Sequence, residues 1–335
     1  MAEGTAALVA VGSWLHESGY VFVTPTPETH RRVLARAGGR ASRDAMTVVR
    51  DALGWNRPVR LDELPRPLRA LGETADLWRN TAESDRVQSR LRFSTVEAGG
   101  RRFLFVHSAY PTSDHDAVFF GPDTYRFVAA IRRTMTKARR LVDVGCGTGA
   151  GGLVLADRAD EVVLSDLSPR ALALAEVNLA FARKLRVIPE TTKVSLHLSD
   201  ILAGVPGDVD VVIANPPYLV DAQGRGHGES AGERIGRLYR DGGGKLGTAL
   251  AARIVREGLA RVSQAGGGQV LLYTGVPIIA GLNVLEEPLR PLLREAAAHV
   301  TWEELDPDVF GEELEGAAYA ETERLAVVLL NAVVT

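Results

Sequence analysis

Cysteine is almost absent from this chain: one residue, Cys146, in 335, which excludes an intramolecular disulfide framework. Long apolar runs are missing too, and none approaches the roughly 18 residues that a spanning helix needs. No membrane role is expected. The opening MAEGTAALVAVGSWLHESG has neither the basic start nor the small-residue cleavage pattern of a secretory signal, so a cytoplasmic protein is expected. Histidines number only 7. His107, His115 and His227 have no ligand-like partners at metal spacing, and no metal is expected.

What is present is an ordinary globular balance, 46% hydrophobic and 24% charged residues with a net charge of −3. The length favours one large domain and a smaller one. The small net charge conceals an asymmetry. Residues 1–140 hold 22 Lys+Arg against 15 Asp+Glu, whereas residues 141–335 hold 17 against 27. A basic first part fits either a nucleic-acid or acidic-protein surface, or solvated Arg-rich helix faces.

From Pro27 to about Leu71, apolar residues recur at helical spacing with breaks at Gly38-Gly39, Gly54 and LPRPL. LRFSTVEAGGRRFLFVHSA then predicts a hairpin turning at Gly99-Gly100. Helices followed by a hairpin allow a winged-helix module, or a lid or dimerisation domain. After Leu141 strands alternate with helices, which predicts an α/β doubly wound, mostly parallel sheet of seven strands. They are expected near residues 141–144, 161–165, 193–198, 209–214, 269–274, 299–303 and 325–332. The expected division is a recognition domain over 1–110, a linking segment over 111–140 and a catalytic domain over 141–335.

Two stretches carry chemistry. LVDVGCGTGAGG is a strand entering a glycine-rich turn, where bare backbone can approach a ligand and a helix N-terminus can meet an anion. Gly145, Gly147 and Ala150 by themselves also satisfy a loose dinucleotide fingerprint, so a nicotinamide enzyme is an alternative. Asp166, 21 positions after Gly145 at a strand end, suits the two hydroxyls of a ribose, or a helix cap. Asp200, following LHLS, suits an adenine amino group, or a turn. The second stretch is VVIANPPYLV. Its two prolines cannot donate from the backbone, and they restrict Asn215 and Pro216 to extended conformations. Two carbonyls, from the Asn215 side chain and the Pro216 backbone, then face a donor without competition. Such a pair can grip both hydrogens of a planar NH2 group.

VDVGCGTG, the acidic residue in SDLSPRALALAEVN and the NPPY tetrad occur in an order and spacing that resembles the class I S-adenosylmethionine-dependent methyltransferases. The resemblance covers about 141–335 and implies a Rossmann-like fold with S-adenosyl-L-methionine as cofactor. It implies contacts to that cofactor from Asp143, Gly145, Cys146, Gly147, Thr148, Gly149, Asp166, Leu167, Asp200, Ile201 and Asn215. Asn215, Pro216 and Tyr218 take the catalytic positions, with Tyr218 stacking on the acceptor. The NPPY subgroup methylates planar nitrogens, and three segments are most similar to release-factor glutamine methyltransferases: FFGPDTYRF, SDLSPRALALAEVN and YRDGGGKLG. The last is also similar to the corresponding loop in ribosomal RNA guanine methyltransferases. These segments imply acceptor contacts at Pro122, Thr124, Tyr125, Pro217, Tyr218 and Arg240. Tyr125 stands where an acidic residue is expected, and Gly121 and Asp123 interrupt a basic pattern. The implied partner is a methyl acceptor, a protein glutamine or an RNA or DNA base, with a small molecule or a non-catalytic binding module as further alternatives. The insert over 221–247 reads as a substrate loop or a surface loop.

Overall fold

The computed structural model describes residues 2–36, 44–83, 85–112, 114–221, 237–262 and 268–334. Most of the 221–247 insert, residues 222–236 with His227, lies outside them.

The first third contains helices α1 (Ala2–Glu17), α2 (Pro27–Leu34), α3 (Ala45–Leu53) and α4 (Arg66–Thr74). Short strands β1 (Val59–Arg60), β2 (Trp78–Asn80) and β3 (Arg86–Ser89) pair in the order β1-β3-β2. The hairpin of β4 (Leu91–Ala98) and β5 (Arg101–Ser108) turns at Gly99 and Gly100, whose φ of 59° and 72° is the left-handed geometry that favours glycine. The sequence reading had no helix at α1, although Val11 and Leu15 are fully buried on one face. Their i, i+4 spacing is the sequence signal for this helix.

The remainder runs α5 (Pro122–Thr134), β6 (Ala138–Val144), α6 (Ala150–Val154), β7 (Ala159–Asp166), α7 (Pro169–Lys184), β8 (Lys193–Leu198), β9 (Val211–Ala214), α8 (Ala249–Arg261), β10 (Gly268–Ile279), β11 (Leu282–Asn283), α9 (Glu286–Glu295), β12 (His299–Asp306) and β13 (Arg324–Val334). All seven expected strands are present. They form one sheet in the order β12-β13-β10-β9-β6-β7-β8, with the two-residue β11 on β10. From β10 to β8 the pairings are parallel, and β13 joins β10 and β12 antiparallel. Alternate strand residues feed the two faces. Leu141 and Ile213 face a core with α5 and α6, whereas Val142, Val144 and Val212 face one with α8 and α9.

The first third shares a hydrophobic core with α7, because Val11, Leu15, Phe93 and Val106 pack with Leu174, Val177 and Phe181. A Cβ at Gly12 would lie 2.5 Å from the Phe181 ring, so glycine sets the approach of α1 to α7. Asn178, 1% exposed, takes the place of a strand: its Oδ1 accepts from the Val106 amide at 2.7 Å and its Nδ2 donates to the Val106 and Thr148 carbonyls. One side chain therefore joins the hairpin to the glycine turn. Part of the charge asymmetry is resolved within the molecule, as Arg126, Arg132, Arg133 and Arg139 pair with Asp306, Asp157, Glu303 and Asp210 of the acidic part.

Candidate active site

The order of strands reverses between β6 and β9: the chain leaves β6 for β7 and β8, then crosses to the other side of β6. Ligand crevices in open α/β sheets form at such a switch point, outside the carboxyl ends of the strands. Here Val144 is paired with Ala214, so the glycine turn and Asn215 leave the sheet side by side. They border a crevice of about 670 Å³.

The turn follows from its glycines. Gly145, Gly147 and Gly149 have φ of 64°, 54° and 77°. A Cβ at Gly145 would meet nothing within 4 Å and one at Gly147 only a Val118 methyl at 3.9 Å, so this backbone borders open space. Asp143, 1% exposed, accepts from the Gly152 amide at 2.7 Å, and burial pushes its carboxyl up to about 7. Asp166 accepts from Gly147 N and Ser168 N, each at 2.8 Å. Its burial raises the pKa, and these amides act against that. Each oxygen keeps a lone pair for a further donor. Cys146 is buried and its thiol pKa raised by burial, which makes it a poor nucleophile.

Other expected cofactor residues lie along the same wall. Thr148 is buried, Leu167 is 58% exposed at the rim, and Ile201 is held at φ 51°, a left-handed conformation rare for isoleucine. Asp200 is exposed and pairs with Arg253 at 2.8 Å. Gly149 does not line the crevice.

The acceptor side differs more from expectation. Among the described residues the Asn215 side chain has no hydrogen-bond partner, and Asn215, Pro216 and Pro217 all line the crevice. Tyr218 borders it, but its hydroxyl is turned inward onto Asp123 Oδ2 at 2.5 Å, while Tyr273 donates to Asp123 Oδ1 at 3.1 Å. Its ring lies against Gly275, where a Cβ would come within 2.2 Å. YRDGGGKLG clamps this segment from outside. Leu219 N donates to Arg240 O, Gly242 N donates to Leu219 O, and a Cβ at Gly242 would fall 1.9 Å from Gly247 O. Thr124 reaches the crevice; Pro122 and Tyr125 do not. The Tyr125 hydroxyl instead accepts from Thr24 N at 3.0 Å. Arg240 borders the crevice with its guanidinium on Glu313.

Sequence reasoning missed several residues here. Asp123, noted only as a break in a basic pattern, is the buried carboxylate beneath Tyr218. Phe119 and Tyr239 stack at 5.9 Å and 6° on the crevice wall, and His30, Arg92 and Tyr110 line it as well. FFGPDTYRF and YRDGGGKLG carried the first three, but nothing local in the sequence signals the last group.

Residues 124–231 match the family model of the methyltransferase small domain. This similarity covers about a third of the chain. Its relatives include the release factor glutamine methyltransferase of Deinococcus radiodurans, 31% identical over 186 residues, 53% of this chain and 60% of that one. The tRNA1(Val) (adenine(37)-N6)-methyltransferase of Yersinia pseudotuberculosis is 32% identical over 146 residues, 41% of this chain and 52% of that one. The chain thus spans less than two thirds of the length of these relatives. Among solved structures, the T. thermophilus 16S rRNA N2 G1207 methyltransferase overlaps with a TM-score of 0.42 and 17% identity, covering 78% of this chain and 60% of that one. The matched span takes in the glycine turn, Asp166 and NPPY. Among the described residues no group of three His, Cys, Asp or Glu is arranged to hold a metal, and no helix is long and apolar enough to cross a membrane.

Proposed function

We propose that this chain transfers a methyl group from S-adenosylmethionine to a planar NH2 nitrogen, a protein glutamine amide being the acceptor. The carrying observation is the Val144–Ala214 pairing, which sets an open glycine turn beside Asn215, whose side chain has no partner among the described residues. The residues fit the cofactor: bare glycine backbone borders the space, Asp143 lies buried at its base, and Asp166 keeps free lone pairs at a strand end. Bound there, S-adenosylmethionine supplies an electrophilic methyl on a sulfonium. Asn215 Oδ1 and the Pro216 carbonyl accept the two amide hydrogens, which holds the nitrogen and releases its lone pair from conjugation as it pyramidalises; the N–C bond would form as the sulfonium C–S bond breaks, with that electron pair staying on sulfur, and one amide hydrogen would leave to solvent as a proton. Alignment then supplies most of the rate, since effective molarities on the order of 10⁵ M are attainable by positioning. The clamp of Asp123 and the 242–247 glycines on Tyr218 keeps this loop stiff. Residues 1–110 contribute Thr24, His30, Arg92 and Tyr110 to the crevice lining and with them acceptor recognition.

The glutamine acceptor is supported by the release-factor relative, and the tRNA adenine relative together with the Phe119–Tyr239 stack supports a nucleic-acid base as the second reading. Incubating the protein with methyl-labelled S-adenosylmethionine and fractionated cell extract separates them. Label is expected in the protein fraction, lost on acid hydrolysis of amides. Label in RNA or DNA overturns the glutamine acceptor, and label in no fraction overturns the activity.

Asp143 makes the folded chain pH-sensitive. Its carboxyl sits at about 7 when folded against 3.8 when exposed, so between those values the folded state binds more protons. Stability from this group is therefore greatest at the acidic end of that window and declines as pH rises through it, by up to about 1.4 kcal/mol per pH unit. Denaturant midpoints at pH 5 and pH 8 are expected to differ more for the wild type than for Asp143→Asn, and equal differences would remove this assignment.

A further inference from the structure

Arg92 is 3% exposed, yet no described carboxylate pairs with it. Its Nε donates to Gly54 O at 2.8 Å, and its Nη2 lies 3.5 Å from Thr24 Oγ1 and 3.4 Å from His30 Nδ1. All three acceptors are neutral. His30 Nε2 lies 2.9 Å from the Trp55 carbonyl, which can only accept, so Nε2 carries the proton and Nδ1 offers Arg92 a lone pair. Beyond Thr24, the Ser94 and His107 side chains extend the network, Ser94 Oγ lying 2.6 Å from Thr24 Oγ1 and 2.9 Å from His107 Nε2. Arg92 Nη1 has no partner among the described residues. The Phe22 ring lies under the guanidinium at 5.8 Å.

Arg92, His30, Thr24 and Tyr110 all line the crevice that holds Asn215. A desolvated cation without a counter-ion is costly, whereas a carboxylate that shares the guanidinium plane recovers much of that cost. The crevice as a whole does not suit a polyanion. Asp123, Asp143, Asp166, Asp200, Asp241 and Glu312 border it, while its other arginines, Arg237 and Arg240, are already paired with Asp221 and Glu313. We infer that Arg92 is an acceptor-binding residue that receives one carboxylate of a peptide acceptor in the crevice. This assignment rests on the methyl-transfer reading of the same site.

The test titrates the full-length chain with acetate, with its neutral isostere acetamide and with inorganic phosphate, following tryptophan fluorescence. Trp55 reports on the subsite, lying 5.3 Å from the His30 ring. A saturable change with acetate is expected, with acetamide inert, and Arg92→Gln is expected to raise the acetate concentration needed by at least about 10-fold. If Arg92→Gln does not fold, the acetate and acetamide curves of the wild type decide alone. Equal response to acetamide, or unchanged acetate binding in a folded Arg92→Gln, overturns the subsite. Tighter binding of phosphate or of a short RNA, weakening steeply with salt, overturns the carboxylate in favour of a nucleic-acid acceptor. Wild type that binds no S-adenosylmethionine removes the acceptor role together with the methyl-transfer reading, while wild type that binds it but ignores acetate removes the subsite alone.

Discussion

Asn215→Ala is expected to slow methyl transfer by about 10²- to 10³-fold at nearly unchanged S-adenosylmethionine affinity, the size of effect seen when one positioned polar group is lost from a reacting centre. The substitution removes an amide that has no other partner among the described residues, so little of the fold depends on it. Pro216 would still offer one carbonyl, but one acceptor fixes neither the tilt nor the in-line approach of an NH2 group. Labelled transfer into the acceptor fraction, with calorimetry for the cofactor, checks both halves. Wild-type activity in the variant would remove Asn215 from the mechanism. Lost cofactor binding would instead make it a cofactor-holding residue.

Asn178→Leu is expected to cost about 3 kcal/mol or more of folding stability, with leucine preserving most of the side-chain volume. Three backbone groups lose their partner: the Val106 amide, the Val106 carbonyl and the Thr148 carbonyl. Val106 is fully buried and Thr148 is 3% exposed, so water cannot easily replace it. Each unsatisfied buried group costs about 1 to 3 kcal/mol. Because Thr148 belongs to the glycine turn, S-adenosylmethionine affinity is expected to fall as well. Denaturant unfolding of the two proteins measures the difference, and a loss under about 1 kcal/mol would mean that the hairpin and the turn are joined by other contacts.

The buried strands β6, β7, β9, β10 and β13 were legible as apolar runs between helices and turn residues, and the edge strands β8 and β12 alternate apolar with polar residues. The hairpin at Gly99-Gly100 was legible for a similar local reason, since both residues adopt a φ that side chains resist. Helix α1 was not read, although its apolar spacing is present in the sequence. Tyr125 and Pro122 were expected to contact an acceptor because they fall in a segment that resembles one. The first turn of α5 directs Asp123 and Thr124 toward the crevice and Tyr125 toward Thr24. Helical periodicity separates neighbours that a linear motif groups together.

The residue types and their spacing determined the kind of chemistry: a bare-backbone turn after one strand, an acidic residue at the end of the next, and a donor-free NPPY after a later one. Those are local properties of the chain, set by glycine and proline geometry and by the acceptors a side chain carries. Which side chains share the crevice was decided by the tertiary structure alone. Asp123 meets Tyr218 and Tyr273 across 95 and 150 positions, and Arg92 is buried among neutral acceptors from Thr24, His30 and Gly54. A charge is costly only where water is excluded, and exclusion is a property of the packed molecule.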